Sequence, residues 1–126
     1  MGKDDTIKTI EWKKNPDEHD YPAALSYLTL LYSPEWAKAL VEKLRGAPTV
    51  EFDAKDIFRA AKLPELDVTN YHVKKNAAKI NQGEKISPIL LVRDTDKGKL
   101  VIADGYHRIC AVYQHNEDAV VPCRIV

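Results

Sequence analysis

Apolar residues recur along this chain in two rhythms, and each change of rhythm marks a new element. From Pro22 onward Ala24, Leu25, Leu28, Leu31 and Tyr32 fall mostly three or four positions apart, which puts them on one face of a helix. Ser33-Pro34-Glu35 then reads as a fresh helix start. The serine hydroxyl can cap, proline suits the first turn, and glutamate favours the positive end of the helix dipole. Trp36, Ala37, Leu40, Val41 and Leu44 form a second apolar stripe, expected to face a core rather than a partner helix. Arg45-Gly46-Ala47-Pro48 should stop that helix, with Gly46 as a left-handed cap and proline beyond it.

Alternation of Val50, Phe52 and Ala54 with polar neighbours predicts a short strand. Asp53 is a candidate cap for a brief helix carrying Ile57, Phe58 and Ala61. After Pro64, either Asp67 or Thr69 is expected to open another helix with Val73, Ala77 and Ile80 inside and Gly83 at its end. Lys74, Lys75 and Lys79 lie on its outer face with Lys85 just beyond, either as a solvated surface or as an electropositive patch.

Pro88-Ile89-Leu90-Leu91-Val92 is a continuous apolar run, the pattern of a strand covered on both faces. A polar connection over residues 94–99 leads to the returning strand Leu100-Val101-Ile102-Ala103, so the pair reads as a hairpin. A helix follows over about Tyr106 to His115, and Val120 to Val126 closes the chain as a strand. Pro122 argues for an edge position or a strand start, since it has no amide to donate. The first 20 residues are polar, with Asn15-Pro16-Asp17 as a turn; Ile7, Ile10 and Trp12 are expected to form a short strand or to dock on the body.

These elements describe one small α+β domain: a mixed sheet with flanking helices over 49–126, preceded by a helical pair within 1–48 and packed with it as one unit. Length and composition agree, with 126 residues, 44% hydrophobic and 30% charged. Lysine and arginine number 19, as do aspartate and glutamate. That balance disfavours nucleic acid as a partner, though a local patch is compatible with it. No run approaches the ~20 apolar residues that span a bilayer, and the start lacks a secretory stretch, so a cytoplasmic protein without a membrane partner is expected. Cys110 and Cys123 are too few for a zinc set and are read as reduced core thiols. No protein metal site is predicted, and a homodimer is compatible with the pattern.

Candidate chemistry concentrates where the returning strand meets the last long helix, at Asp104-Gly105-Tyr106-His107-Arg108. The first amides of a helix lack intrahelical partners, and anions bind there. Gly105 removes a side chain that would block backbone approach and permits a positive φ. Arg108 lies one turn in, where its planar fork could clamp two phosphate oxygens. His107 can donate a hydrogen bond or act as an acid or base. Asp104 has three candidate roles: capping the helix, holding Arg108 or His107, or binding a divalent ion beside a phosphate. A common turn with a common cap is the plain alternative.

The order Ile102-Ala103-Asp104-Gly105-Tyr106-His107-Arg108, then Ala111, then Val120-Val121-Pro122-Cys123-Arg124-Ile125 resembles the signature of the ParB/sulfiredoxin superfamily. Ile80, Gly83 and Pro88 to Val92 are similar to the helix, glycine and strand that precede it, so the resemblance covers roughly residues 50 to 126. It implies a domain that holds nucleotide phosphates, with Gly105, His107 and Arg108 at phosphate-binding positions, Tyr106 within the cradle and Asp104 as the preceding acid. A nucleotide with magnesium is the implied cofactor, and a nucleotide or other phosphorylated small molecule the implied partner. Tyr106 stands where sulfiredoxin carries its reactive cysteine, which argues against that activity. The segregation proteins usually continue into a helix-turn-helix domain, so the end at Val126 argues against that form. Three readings stay open: a binding module, a phosphotransfer or phosphohydrolase enzyme with His107 and Asp104 as catalytic residues, or a noncatalytic interaction domain. For a kinase, Glu65, Asp67 and His72 are candidate bases by proximity in the chain.

Overall fold

The computed structural model describes residues 9–126. Ile7 lies outside them, but Ile10 and Trp12 pack against the core, and Trp12 forms a single parallel bridge with Ile86. The elements are α1 (Asp20–Leu28), α2 (Pro34–Gly46), β1 (Val50–Asp53), α3 (Ala54–Ala61), α4 (Tyr71–Asn81), β2 (Ile89–Asp94), β3 (Lys99–Asp104), α5 (Tyr106–His115) and β4 (Val120–Ile125). The fold is α+β with one four-stranded mixed sheet ordered β1-β4-β2-β3. Strand β2 pairs antiparallel with β3 and parallel with β4, which in turn pairs antiparallel with β1.

Helices cover both faces of this sheet. Ile89 and Leu91 of β2 point into a core shared with α3, α4 and α5. Their neighbours Leu90 and Val92 point the other way, into a core with Tyr21, Leu28, Leu40 and Leu44 of α1 and α2. All four β2 residues are buried, as their unbroken apolar run predicts. The N-terminal helical pair is therefore one of the two layers that bury the sheet. Among the described residues, no helix is long and apolar enough to cross a membrane.

Several local expectations are corrected by their surroundings. Helix α1 starts at Asp20 and ends at Leu28, so Leu31 is exposed in the connecting turn and only Tyr32 folds back, its hydroxyl donating to Asp94 at 3.0 Å. Trp36 is exposed and lies under the Lys43 ammonium rather than in the core. Gly46 stays within α2, and the cap is Ala47 in extended conformation at ψ 145°. Pro48 explains this, because the residue before a proline is excluded from helical ψ. Ala54 begins α3 instead of ending a strand, and Phe52 is exposed. Asp53 precedes α3 without a side-chain cap bond.

Neither Asp67 nor Thr69 caps α4. Asp67 accepts from Thr69 in a local turn, while Asn70 Oδ1 accepts from the amides of His72 and Val73. Gly83 does end α4, with φ 74° and the paired bonds Gly83 N to Ile80 O and Glu84 N to Lys79 O of a Schellman motif. Pro122 lies in an interior strand, contrary to the expectation of an edge. It opposes Glu51 of β1, and the parallel ladder to β2 begins only at Cys123, so no β2 pairing is lost at the proline.

Candidate functional site

Strand β3 delivers Asp104 to the rim of the sheet, and the chain turns sharply at Gly105, where φ is 105°. Ile109 N donates to Gly105 O at 2.8 Å and closes the first turn of α5. No side chain caps that turn, so its leading amides keep the donor character expected of a helix start. A Cβ on Gly105 would lie 2.7 Å from Ile89 Cδ1 and 2.9 Å from Arg108 Nη2. The glycine is thus required by packing from within as well as by its backbone angle.

Arg108 does not hold its fork out to a ligand. Its Nε donates to Ser87 O at 2.8 Å and its Nη2 to Pro88 O at 3.0 Å, so the guanidinium ties α5 to the lead-in of β2. Nη2 also lies 3.4 Å from Asp104 Oδ2 and 3.8 Å from Asp20 Oδ2. Nε and Nη2 of the guanidinium thus serve as an internal anchor. Carbonyl groups at the start of an apolar strand need donors, and the arginine supplies them.

Asp104 is turned inward with it. Of the three roles read from the sequence, holding Arg108 is the one observed, and Asp104 caps nothing. Burial pushes its pKa up to about 6 against the pull of the Arg108 guanidinium, and the neighbouring Asp20 carboxylate adds to the rise. Two carboxyl groups beside one guanidinium disfavour a second negative charge, which is the direction of this shift. Asp20 is almost fully buried and also accepts from the Asp17 amide at 3.1 Å. It escaped the sequence reading because it lies far from the turn in the chain, although an acid directly before Tyr21-Pro22 does mark a helix start.

His107 faces elsewhere. Its ring lies 4.9 Å from that of His72, centroid to centroid, with Tyr71 and Tyr106 flanking the pair. Each histidine is the second residue of its helix, so the starts of α4 and α5 meet at this edge. Burial lowers the pKa of His107, and the charge His72 can carry lowers it further. Tyr106 donates its hydroxyl to Pro64 O at 2.8 Å, which fixes the loop before α4 over the start of α5. Of the candidate bases, His72 meets His107 at the turn, and the Glu65 carboxylate is close enough to add to the pKa rise that burial gives Tyr106. Asp67 is engaged with Thr69, and Glu65 is exposed in the Pro64 loop.

Comparison with protein-family models, with curated proteins and with solved structures gives no match for this chain. The turn presents an uncapped helix start and two imidazoles. These can donate hydrogen bonds to an anion. They offer little to a metal, since Asp104 is committed to Arg108 and Asp20. Asp17, His19 and Asp20 do converge, but Lys13 pairs with Asp17 and Arg108 lies beside Asp20. Cys110 and Cys123 are free and buried, and burial pushes the Cys123 thiol up to about 12. Lys74, Lys75 and Lys85 are exposed and Lys79 half-buried; among the described residues no ion pair joins them to the turn.

Proposed function

We propose that the edge where α4 and α5 begin binds the phosphate of a nucleotide or another phosphorylated small molecule. The observation that carries this reading is the His72–His107 pair, its rings tilted against each other beside the uncapped first turn of α5. Backbone amides there supply fixed donors at the positive end of the helix dipole, and the imidazoles supply donors that gain charge on binding. The likeness of residues 50 to 126 to the ParB/sulfiredoxin signature supports the same ligand class. In this reading Gly105 and the amides of Tyr106 and His107 hold the phosphate, His107 and His72 contact its oxygens, and Arg108 positions the turn. A magnesium ion would arrive on the nucleotide phosphates rather than on Asp104. Two reduced, buried thiols fit a cytoplasmic setting, which is part of the proposal.

Should phosphotransfer follow binding, His107 is the group placed for proton transfer, because Asp104 is held within the Arg108 cluster. A thermal-shift screen of ADP, ATP and pyrophosphate, with and without magnesium, tests the reading. A ligand at ~100 times its dissociation constant stabilises the fold by about 2.7 kcal/mol. The shift should shrink in His107→Ala and in His72→Ala. No shift with any phosphorylated compound, or shifts in both variants as large as in the wild type, would sink it.

A further inference from the structure

At the opposite end of β3 from Asp104, a cleft of about 470 Å³ opens between α3 and the β2–β3 hairpin. Its volume lies within the roughly 300–1,000 Å³ of small-molecule sites. Its apolar walls come from Phe52, Ile57, Leu91, Leu100 and Ile125, so one end of the main core is open to solvent here. Phe52 is 40% exposed on this side, an unusual place for a large aromatic ring on a strand. We propose that the cleft binds a small amphiphilic anion, an apolar body bearing a single carboxylate.

Charge at the rim selects the anion. Lys62, Arg93 and Lys99 line the cleft, and none of them forms an ion pair among the described residues. Two carboxylates lie at the same rim. Asp94 is occupied, with Oδ2 accepting from the Tyr32 hydroxyl and Oδ1 from the Lys97 amide. Asp56 sits in the exposed first turn of α3 beside Lys55, whose pKa it helps to raise. Three cations without ion pairs against two carboxylates leave the rim net positive over an apolar floor, which complements a ligand with a greasy body and an anionic end.

The backbone at Lys62 is a second, independent observation. It closes α3 in the left-handed conformation, φ 57° and ψ 36°, and among the described residues it is the only non-glycine with positive φ. Glycine adopts these angles without strain, whereas lysine does not. A backbone held in this sparsely populated region beside a cleft is the kind of position where strain accompanies a binding role.

Titration with decanoate, followed by amide NMR, tests the proposal, with decanol and inorganic phosphate as comparison ligands. Decanoate should shift the amides of Phe52, Ile57 and Leu100, and decanol should bind severalfold more weakly. Lys62→Gly should weaken decanoate severalfold while leaving the melting temperature equal or higher, since it relieves the backbone. Arg93→Gln should also weaken it, with the fold monitored by the same spectra. Phosphate should leave the cleft amides unmoved, whether or not it acts at Tyr106 to Arg108. Equal affinity for decanoate and decanol, unchanged binding in both variants, or decanoate shifts centred on Tyr106 to Arg108 would each overturn the proposal.

Discussion

Arg108 Nη2 lies 3.8 Å from Asp20 Oδ2, an ion pair that joins the start of the first helix to the start of the last long one. Both side chains are largely buried, at 15% and 5% exposure, and Asp104 completes the cluster. Two carboxyl groups face one guanidinium, and together with burial this pushes the pKa of Asp104 up to about 6.

Removing the cation should be costly. Arg108→Ala leaves two buried acids without their partner and two carbonyls without a donor, a loss of about 3–5 kcal/mol. Urea unfolding of the variant near neutral pH checks this. A loss below 1 kcal/mol would mean that the cluster is solvated like a surface pair.

Stability should carry the signature of Asp104. Its folded pKa of about 6 lies above the ordinary 3.8, so its contribution is fully present below pH 3.8 and is lost as pH rises through 6. Asp104→Asn resembles the protonated form and lacks this loss. The variant should therefore gain on the wild type between pH 4 and pH 7, by on the order of 2–3 kcal/mol. Comparing the two proteins cancels the opposing trend from His107, whose lowered pKa favours folding as pH rises.

For the proposed phosphate site, the two histidines should set the pH dependence. Burial and the charge His72 can carry lower the pKa of His107, whereas a bound anion favours its imidazolium. Binding should take up a proton, so affinity falls as pH is raised from 6 to 8. His72→Ala should raise the pKa of His107, read from the shift of its ring proton by NMR. An unchanged titration would separate the two rings electrostatically.

Two glycines make a controlled comparison. Gly105→Ala meets both a positive φ and close contacts with Ile89 and Arg108, and should cost about 2 kcal/mol or more. Gly83→Ala has a similar backbone penalty in open space and should cost about 1 kcal/mol. Thermal unfolding of both variants ranks them, and equal losses would show that the contacts around Gly105 relax freely.

Much of the candidate site was legible because it is local. Gly105 and the start of α5 at Tyr106 follow from neighbouring residues, and so does the reach of His107. The role of Arg108 was not legible. Its spacing from Gly105 fits a phosphate fork and an internal anchor equally well, and only the carbonyls of Ser87 and Pro88 decide between them. The pairing of His72 with His107 was hidden for the same reason, since it depends on how α4 and α5 cross.

By itself the sequence determined what depends on near neighbours. It set the buried run of β2, the Schellman stop at Gly83, the hairpin, the limits of α5 and the α+β class, because periodicity and turn chemistry act over a few residues. Tertiary structure decided what depends on distant ones. It placed β4 inside the sheet despite Pro122, left Trp36 outside the core, and set Asp20 against Arg108. Each of these depends on which surface a residue meets once the layers pack, and no spacing along the chain encodes that meeting.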